Sequence, residues 1–295
     1  MDNFVFILIP GWESSCKWFK YKYNNTDNLE NINFLKNLKK IGKVYEHEIN
    51  FFNLYYYYNE KTKKKNEISE ALNKKYKIHE KKLNFNLTDL TFEGICKNIY
   101  NGVIEKFGND KKYILVCHSF GCLIGLCFNE MYTKKCLFNI FIDNPPFYKS
   151  LKTKNYFSKH FMNYKKIYDE HLNTNKLLEK YLFEIKKSYK NANDKIEKIL
   201  HIVHYFQIKY QYEKSSDKLL IYTIFFKANY TNDNDNFKKK WNEYNFKEKN
   251  YLKNNNNKLM YEYIECNDAT HYIWENQKYS DNIINHIKNT IKLFL

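Results

Sequence analysis

The stretch from Tyr113 to Glu130 constrains the fold most. Tyr113 to Val116 is an apolar run of the kind that forms a strand buried on both faces. It breaks at Cys117-His118-Ser119-Phe120-Gly121, and apolar residues then recur at helical spacing. A strand, a sharp turn and a helix with a serine at the bend is the setting that holds a hydroxyl out above a sheet. Such a bend needs small residues two before and two after the serine. Gly121 meets the second need. Cys117 stands where glycine is usual, and cysteine is small enough to meet the first approximately.

The flanking chain reads as alternating strands and helices. Asn3 to Pro10 is a first strand that leaves through Gly11-Trp12-Glu13-Ser14. Phe34, Leu35, Leu38 and Ile41 lie on one helical face, Gly42 ends that helix, and Lys43 to Ile49 is a second strand. Phe92, Ile95, Ile99, Val103 and Phe107 give the next helix its apolar face. The strand before Ser119 follows it. Leu137 to Ile142 is another apolar strand, ending in Asp143-Asn144-Pro145-Pro146. Leu219 to Phe226 and Leu259 to Ile264 complete the strands, with a helix starting near Phe237 between them and a closing helix carrying Ile283, Ile284, Ile287 and Ile291. The class expected is α/β, a mostly parallel sheet flanked by helices.

Two segments depart from this alternation. Residues 55–84 are rich in Lys, Asn, Tyr and Glu and bury little, so they read as a surface insertion. Residues 147–214 carry three amphipathic helical patterns and no strand, so they read as a helical cap over the serine. The core is then 1–146 with 215–295.

Composition excludes several classes. No run of about 18 apolar residues is present, so no membrane-spanning helix is expected. The N-terminal apolar run lacks a basic leader and a small-residue cleavage site, which favours a core strand over a signal peptide. The seven cysteines lack metal-like spacing and suit reduced thiols in a cytoplasmic protein. The net charge of +16 raises the question of nucleic acid, but every basic residue is lysine. Base readout and bidentate phosphate contacts favour the arginine fork, and these lysines are spread along the chain. They read as solvated surface, and no nucleic-acid partner is expected.

A serine becomes a nucleophile when a base takes its proton and an acid fixes the base's tautomer. In this strand–turn–helix setting the chain order is serine, acid, histidine. His271, between the last strand and the closing helix, is the base that fits. His118 and His204 read as ordinary core or surface histidines. For the acid, Asp233 in the loop after the Leu219–Phe226 strand is preferred, with Asp235 and Asp143 as alternatives. The backbone N–H groups of Phe120 and Trp12 are the candidate donors to an oxyanion.

Together, Ile9-Pro10-Gly11-Trp12, Cys117-His118-Ser119-Phe120-Gly121, the Asp233 loop and Ala269-Thr270-His271 resemble the α/β-hydrolase-fold serine hydrolases with a helical cap. The chain departs from that family's pattern at Cys117, at Pro10, and in the spacing of Asp233 from its strand. The first reading is cleavage of a carboxylic ester through an acyl-enzyme on Ser119, and the aromatic, lysine-bearing cap suggests an acyl or lipid-like small-molecule substrate. No cofactor and no metal are expected. Thioesterases and acyltransferases share the machinery, and an inactive binding scaffold is the competing reading.

Overall fold

The computed structural model describes residues 3–11, 16, 19, 21–22, 30–31, 33–47, 92–144, 219–229, 236–256 and 258–295. In chain order the elements are β1 (Phe4–Ile9), β2 (Tyr21–Lys22), β3 (Glu30–Asn31), α1 (Phe34–Ile41), β4 (Lys43–Glu46), α2 (Phe92–Phe107), β5 (Lys112–His118), α3 (Gly121–Tyr132), β6 (Cys136–Ile142), β7 (Thr223–Asn229), α4 (Asn236–Asn255), β8 (Tyr261–Asn267) and α5 (Gln277–Phe294). By contacts the chain divides into two compact units, one of 1–48, 96–151 and 215–295, the other of 49–95 and 152–214. The expected cap and the 55–84 insertion lie outside the described residues. No helix among the described residues is long and apolar enough to cross a membrane.

Six strands form one sheet in the order β4-β1-β5-β6-β7-β8, every neighbour parallel. The cause is visible in the residues. All six side chains of β1 are buried, as are six of the seven in β5, so both faces of these strands must be covered. One face is covered by Phe34, Leu35 and Leu38 of α1 and by Ile283, Ile284 and Ile287 of α5, which join Phe6, Leu8, Val116, Ile140 and Phe226 in one apolar core. The other face meets α3, where Phe128 packs edge-on to Tyr113, and α4, whose Asn245 donates to the Ala228 carbonyl.

The order sets where a site can form. From β1 the chain moves outward to the edge strand β4, then returns to β5 on the other side of β1 and steps outward to β8. The direction of winding therefore reverses between β1 and β5. In open parallel sheets the crevice beyond the carboxyl ends of the strands at such a reversal is where ligands are held. Gly11 leaves β1 there, and Ser119 leaves β5 there.

β1, α1, β5 and β6 fall within one or two residues of their expected bounds. β7 and β8 do not. The expected Leu219–Phe226 strand begins at Thr223 and runs to Asn229; the expected Leu259–Ile264 strand runs from Tyr261 to Asn267. A lysine at position 227 looks like a strand end in the sequence. In the fold it is 1% exposed and stays in the strand because it is neutralised. Its Nζ lies 3.0 Å from Glu248 Oε2 of α4 and donates to the Asn144 carbonyl at 2.5 Å; Asn144 Nδ2 in turn donates to Glu248 Oε1 at 2.8 Å. Glu248 is fully buried as well.

A buried ion pair is costly to break and cheap to replace as a pair. Lys227→Met should therefore destabilise the fold by about 3–5 kcal/mol, since it strands the Glu248 charge. Lys227→Met/Glu248→Gln, which removes both charges and keeps an acceptor for Asn144, should recover more than half of that loss. Urea denaturation of the two variants checks this. A double variant no more stable than the single one would contradict it.

Candidate active site

The bend after β5 is built by close contact. Ser119 has φ 50°, in the left-handed region that a side chain disfavours. Its N–H donates to the Ile142 carbonyl of β6 at 2.8 Å, and its carbonyl accepts from Cys122 N at 3.0 Å. The chain is thus held from both sides of the bend. Gly121 opens α3 so near β1 that a Cβ there would stand 2.5 Å from the Ile9 carbonyl oxygen. No larger residue fits without moving the helix.

Cys117 is tolerated in the small-residue position for a reason found further along α3. Its sulfur would lie 2.8 Å from a Cβ at Gly125, so the missing side chain on α3 makes the room that glycine at 117 would otherwise supply. Burial pushes the Cys117 thiol well above its ordinary pKa, and that of Cys122 likewise. Neither is a thiolate at neutral pH, so neither is a reactive nucleophile.

His271 follows β8 after a second left-handed residue, Asp268, with φ 57°. Its Nδ1 lies 2.5 Å from Oδ2 of Asp143, the residue directly after β6. Asp143 also has a positive φ, 44°, and its side chain is wholly buried. Its other oxygen, Oδ1, accepts from the Ala228 N–H at 3.1 Å and from Trp241 Nε1 at 3.3 Å. An ionised carboxylate only accepts, so the proton of a neutral His271 sits on Nδ1 and the lone pair on Nε2. The His271 side chain is 33% exposed, which leaves it reachable from solvent. Ser119, Asp143 and Asp268 are the only non-glycine residues with positive φ among the described residues, and each directly follows a strand of the sheet. Strain of this kind collects at sites where geometry is imposed by the surroundings.

His118 links the bend to the His271 loop. It is buried, and its Nε2 is 3.0 Å from the His271 carbonyl oxygen. The two rings lie 4.6 Å apart, and the His118 ring meets Trp274 edge-on at 4.6 Å. Burial first, and the neighbouring His271 second, hold the His118 pKa well below its ordinary value. A Cβ at Gly11 would stand 2.9 Å from His118 Nδ1 and 3.0 Å from Ser119 Cβ, so the turn after β1 is pressed against both.

The fold therefore brings Ser119, Asp143 and His271 to the carboxyl ends of β5, β6 and β8, with Phe120 leading into α3 beside them. The N-terminus of a helix carries partial positive charge, which favours an anion next to Phe120. Asp233, Asp235, Trp12 and His204 lie outside the described residues. The partner that His271 has in the fold is Asp143, an alternative in the sequence and not the aspartate preferred there. Its signal is its place directly at a strand end, the same place Ser119 occupies. His118, an ordinary histidine by its sequence, carries the hydrogen bond to the His271 loop. Its only sequence signal is its position next to the serine.

No protein-family model matches the chain, and no curated protein matches it in sequence. Solved structures do match. A mutant of an epoxide hydrolase from Bacillus megaterium aligns over 98% of this chain and 94% of its own, with 14% identity and a TM-score of 0.56. A mutant epoxide hydrolase from Vigna radiata aligns over 99% and 93%, with 10% identity and a TM-score of 0.54. A thermophilic esterase from Thermogutta terrifontis aligns over 99% and 90%, with 10% identity and a TM-score of 0.49. With a parallel six-stranded sheet covered by helices on both faces, and near-complete alignment to the two epoxide hydrolases, the chain has the α/β-hydrolase fold.

Proposed function

We propose that the chain is a serine hydrolase that cleaves a carboxylic ester through an acyl-enzyme on Ser119. The observation that carries this reading is the His271–Asp143 hydrogen bond, set beside the strained bend that bears Ser119. In this reading His271 Nε2 takes the hydroxyl proton as Oγ of Ser119 attacks the ester carbonyl. Asp143 keeps the proton of the neutral ring on Nδ1 and stabilises the imidazolium that forms. The oxyanion of the tetrahedral intermediate is met by the Phe120 N–H at the start of α3, with the Trp12 N–H as the second donor. Collapse of the intermediate breaks the ester C–O bond, and His271 gives its proton to the departing alkoxide. Water, deprotonated by His271, then attacks the acyl group and releases the acid and the free Ser119 hydroxyl.

The substrate in this reading is a small acyl or lipid-like ester, the class that the aromatic, lysine-bearing sequence of 147–214 suits. All seven cysteines are buried, as small core residues of a protein kept in a reducing compartment such as the cytoplasm would be.

A fluorophosphonate probe should label the wild-type protein covalently, and Ser119→Ala should abolish labelling. Folded wild-type protein that stays unlabelled across neutral pH would leave the binding-scaffold reading in place. The acid is tested separately. Asp143→Asn should lower kcat for a short acyl ester on the order of a thousandfold to ten-thousandfold, because it permits the wrong tautomer of His271. Asp233→Asn should change kcat by less than about threefold, which is under 1 kcal/mol of barrier. The reverse ranking in steady-state kinetics would return the acid to Asp233.

A further inference from the structure

A base on a loop needs more than one point of attachment. His271 is fixed at Nδ1 by Asp143, but that bond alone leaves its backbone free to shift. The second anchor comes from the strand that carries the serine. We infer that His118 is a positioning residue for His271: its Nε2–H donates to the His271 carbonyl and holds the loop at a set distance from Ser119.

Four observations carry this. The bond itself is 3.0 Å, and a carbonyl can only accept, so the proton of His118 must be on Nε2. His118 is the last residue of β5 and is in register with Ile142 of β6, so the donor is mounted on the centre of the sheet rather than on another loop. The ring is walled in by Trp274 at 4.6 Å, Tyr272 at 5.4 Å and Phe19 at 6.4 Å, and by the turn at Gly11, so it cannot swing away. Finally, His118 and Ser119 are consecutive. One peptide unit therefore fixes both the nucleophile and the anchor of its base, and their separation does not depend on how other elements move. Burial keeps His118 neutral, so it adds no second positive charge 4.6 Å from the imidazolium that His271 becomes.

This inference rests on the proposed roles of Ser119 and His271, and the experiment separates the two. His118→Phe keeps a planar ring and removes the donor; His118→Gln restores a donor. Two quantities are measured in each folded variant: the rate of fluorophosphonate labelling at Ser119, and the far-downfield proton resonance of the His271–Asp143 hydrogen bond. His118→Phe should slow labelling at least about tenfold, in line with what small misplacements of reacting groups cost. It should also broaden or shift the resonance, lower kcat for an ester substrate and leave KM within about twofold. His118→Gln should recover part of both signals. If His118→Phe fails to fold, His118→Asn, too short to reach the carbonyl, takes its place with the same expectation. A folded variant that labels at the wild-type rate with an unchanged resonance would overturn the inference. If the wild type itself does not label, the proposed function fails, and the resonance alone decides whether His118 holds His271 in place.

Discussion

A carboxylate with no exposed surface must be given donors or give up its charge. Asp143 is given them from three directions: the backbone of β7, the indole of Trp241 on α4, and the imidazole of His271 beyond β8. Each donor comes from a different part of the last third of the chain. The buried charge therefore acts as the point on which these elements converge. Asn144, the next residue, repeats the pattern one step along. It joins Lys227 of β7 to Glu248 of α4, so the turn after β6 is held through side chain and backbone together. The proposed acid is also the group around which this end of the sheet closes.

Parallel pairing makes that convergence possible. Because every strand of the six-stranded sheet runs the same way, each delivers its exit turn to the same edge. Gly11, Ser119, Asp143 and Asp268 all leave there, and three of the four adopt a left-handed backbone to turn sharply. The strain is borne by a core that is buried on both faces. β1, β5 and β6 have little freedom to relax toward an easier turn, because shifting any of them would drag fully buried residues such as Phe6, Ile114 and Phe138 out of contact. The rigid centre and the strained rim are parts of one arrangement.

Much of this is legible in the residues. Strands buried on both faces are written as unbroken apolar runs, and β1, β5 and β6 show themselves that way. The amphipathic stripe of Phe34, Leu35 and Leu38 marks α1, and Gly42 marks its end. The end of β7 is not legible, because Lys227 is a strand residue only by virtue of Glu248 on the following helix, and pairing at that distance leaves no local trace. The same limit clouds the proposed acid. Asp143 shows in sequence only its place at a strand end, and what gives it a donor is a register that brings Ala228 N–H to its oxygen. The cysteine at 117 looks like a departure from the pattern. It is matched by Gly125 across the helix–sheet contact, a compensation that only the packed pair displays.

The surroundings of Ser119 also bear on why the proposed nucleophile is a serine in a stretch crowded with cysteines. A thiolate is intrinsically the better nucleophile, and Cys117 and Cys122 stand close by in the chain. Both sulfurs, however, are turned into the protein: that of Cys117 against Gly125, that of Cys122 donating to the Cys117 carbonyl at 3.3 Å. Burial raises both thiols' pKa values and removes the very form that would react. Ser119, at the bend, is only partly buried. In the proposed function, a weak nucleophile at that point, served by a base fixed through Asp143, is more useful than a strong one that the core keeps protonated. The site is defined by which side chain the turn presents, and the chemistry of the neighbours is subordinate to that geometry.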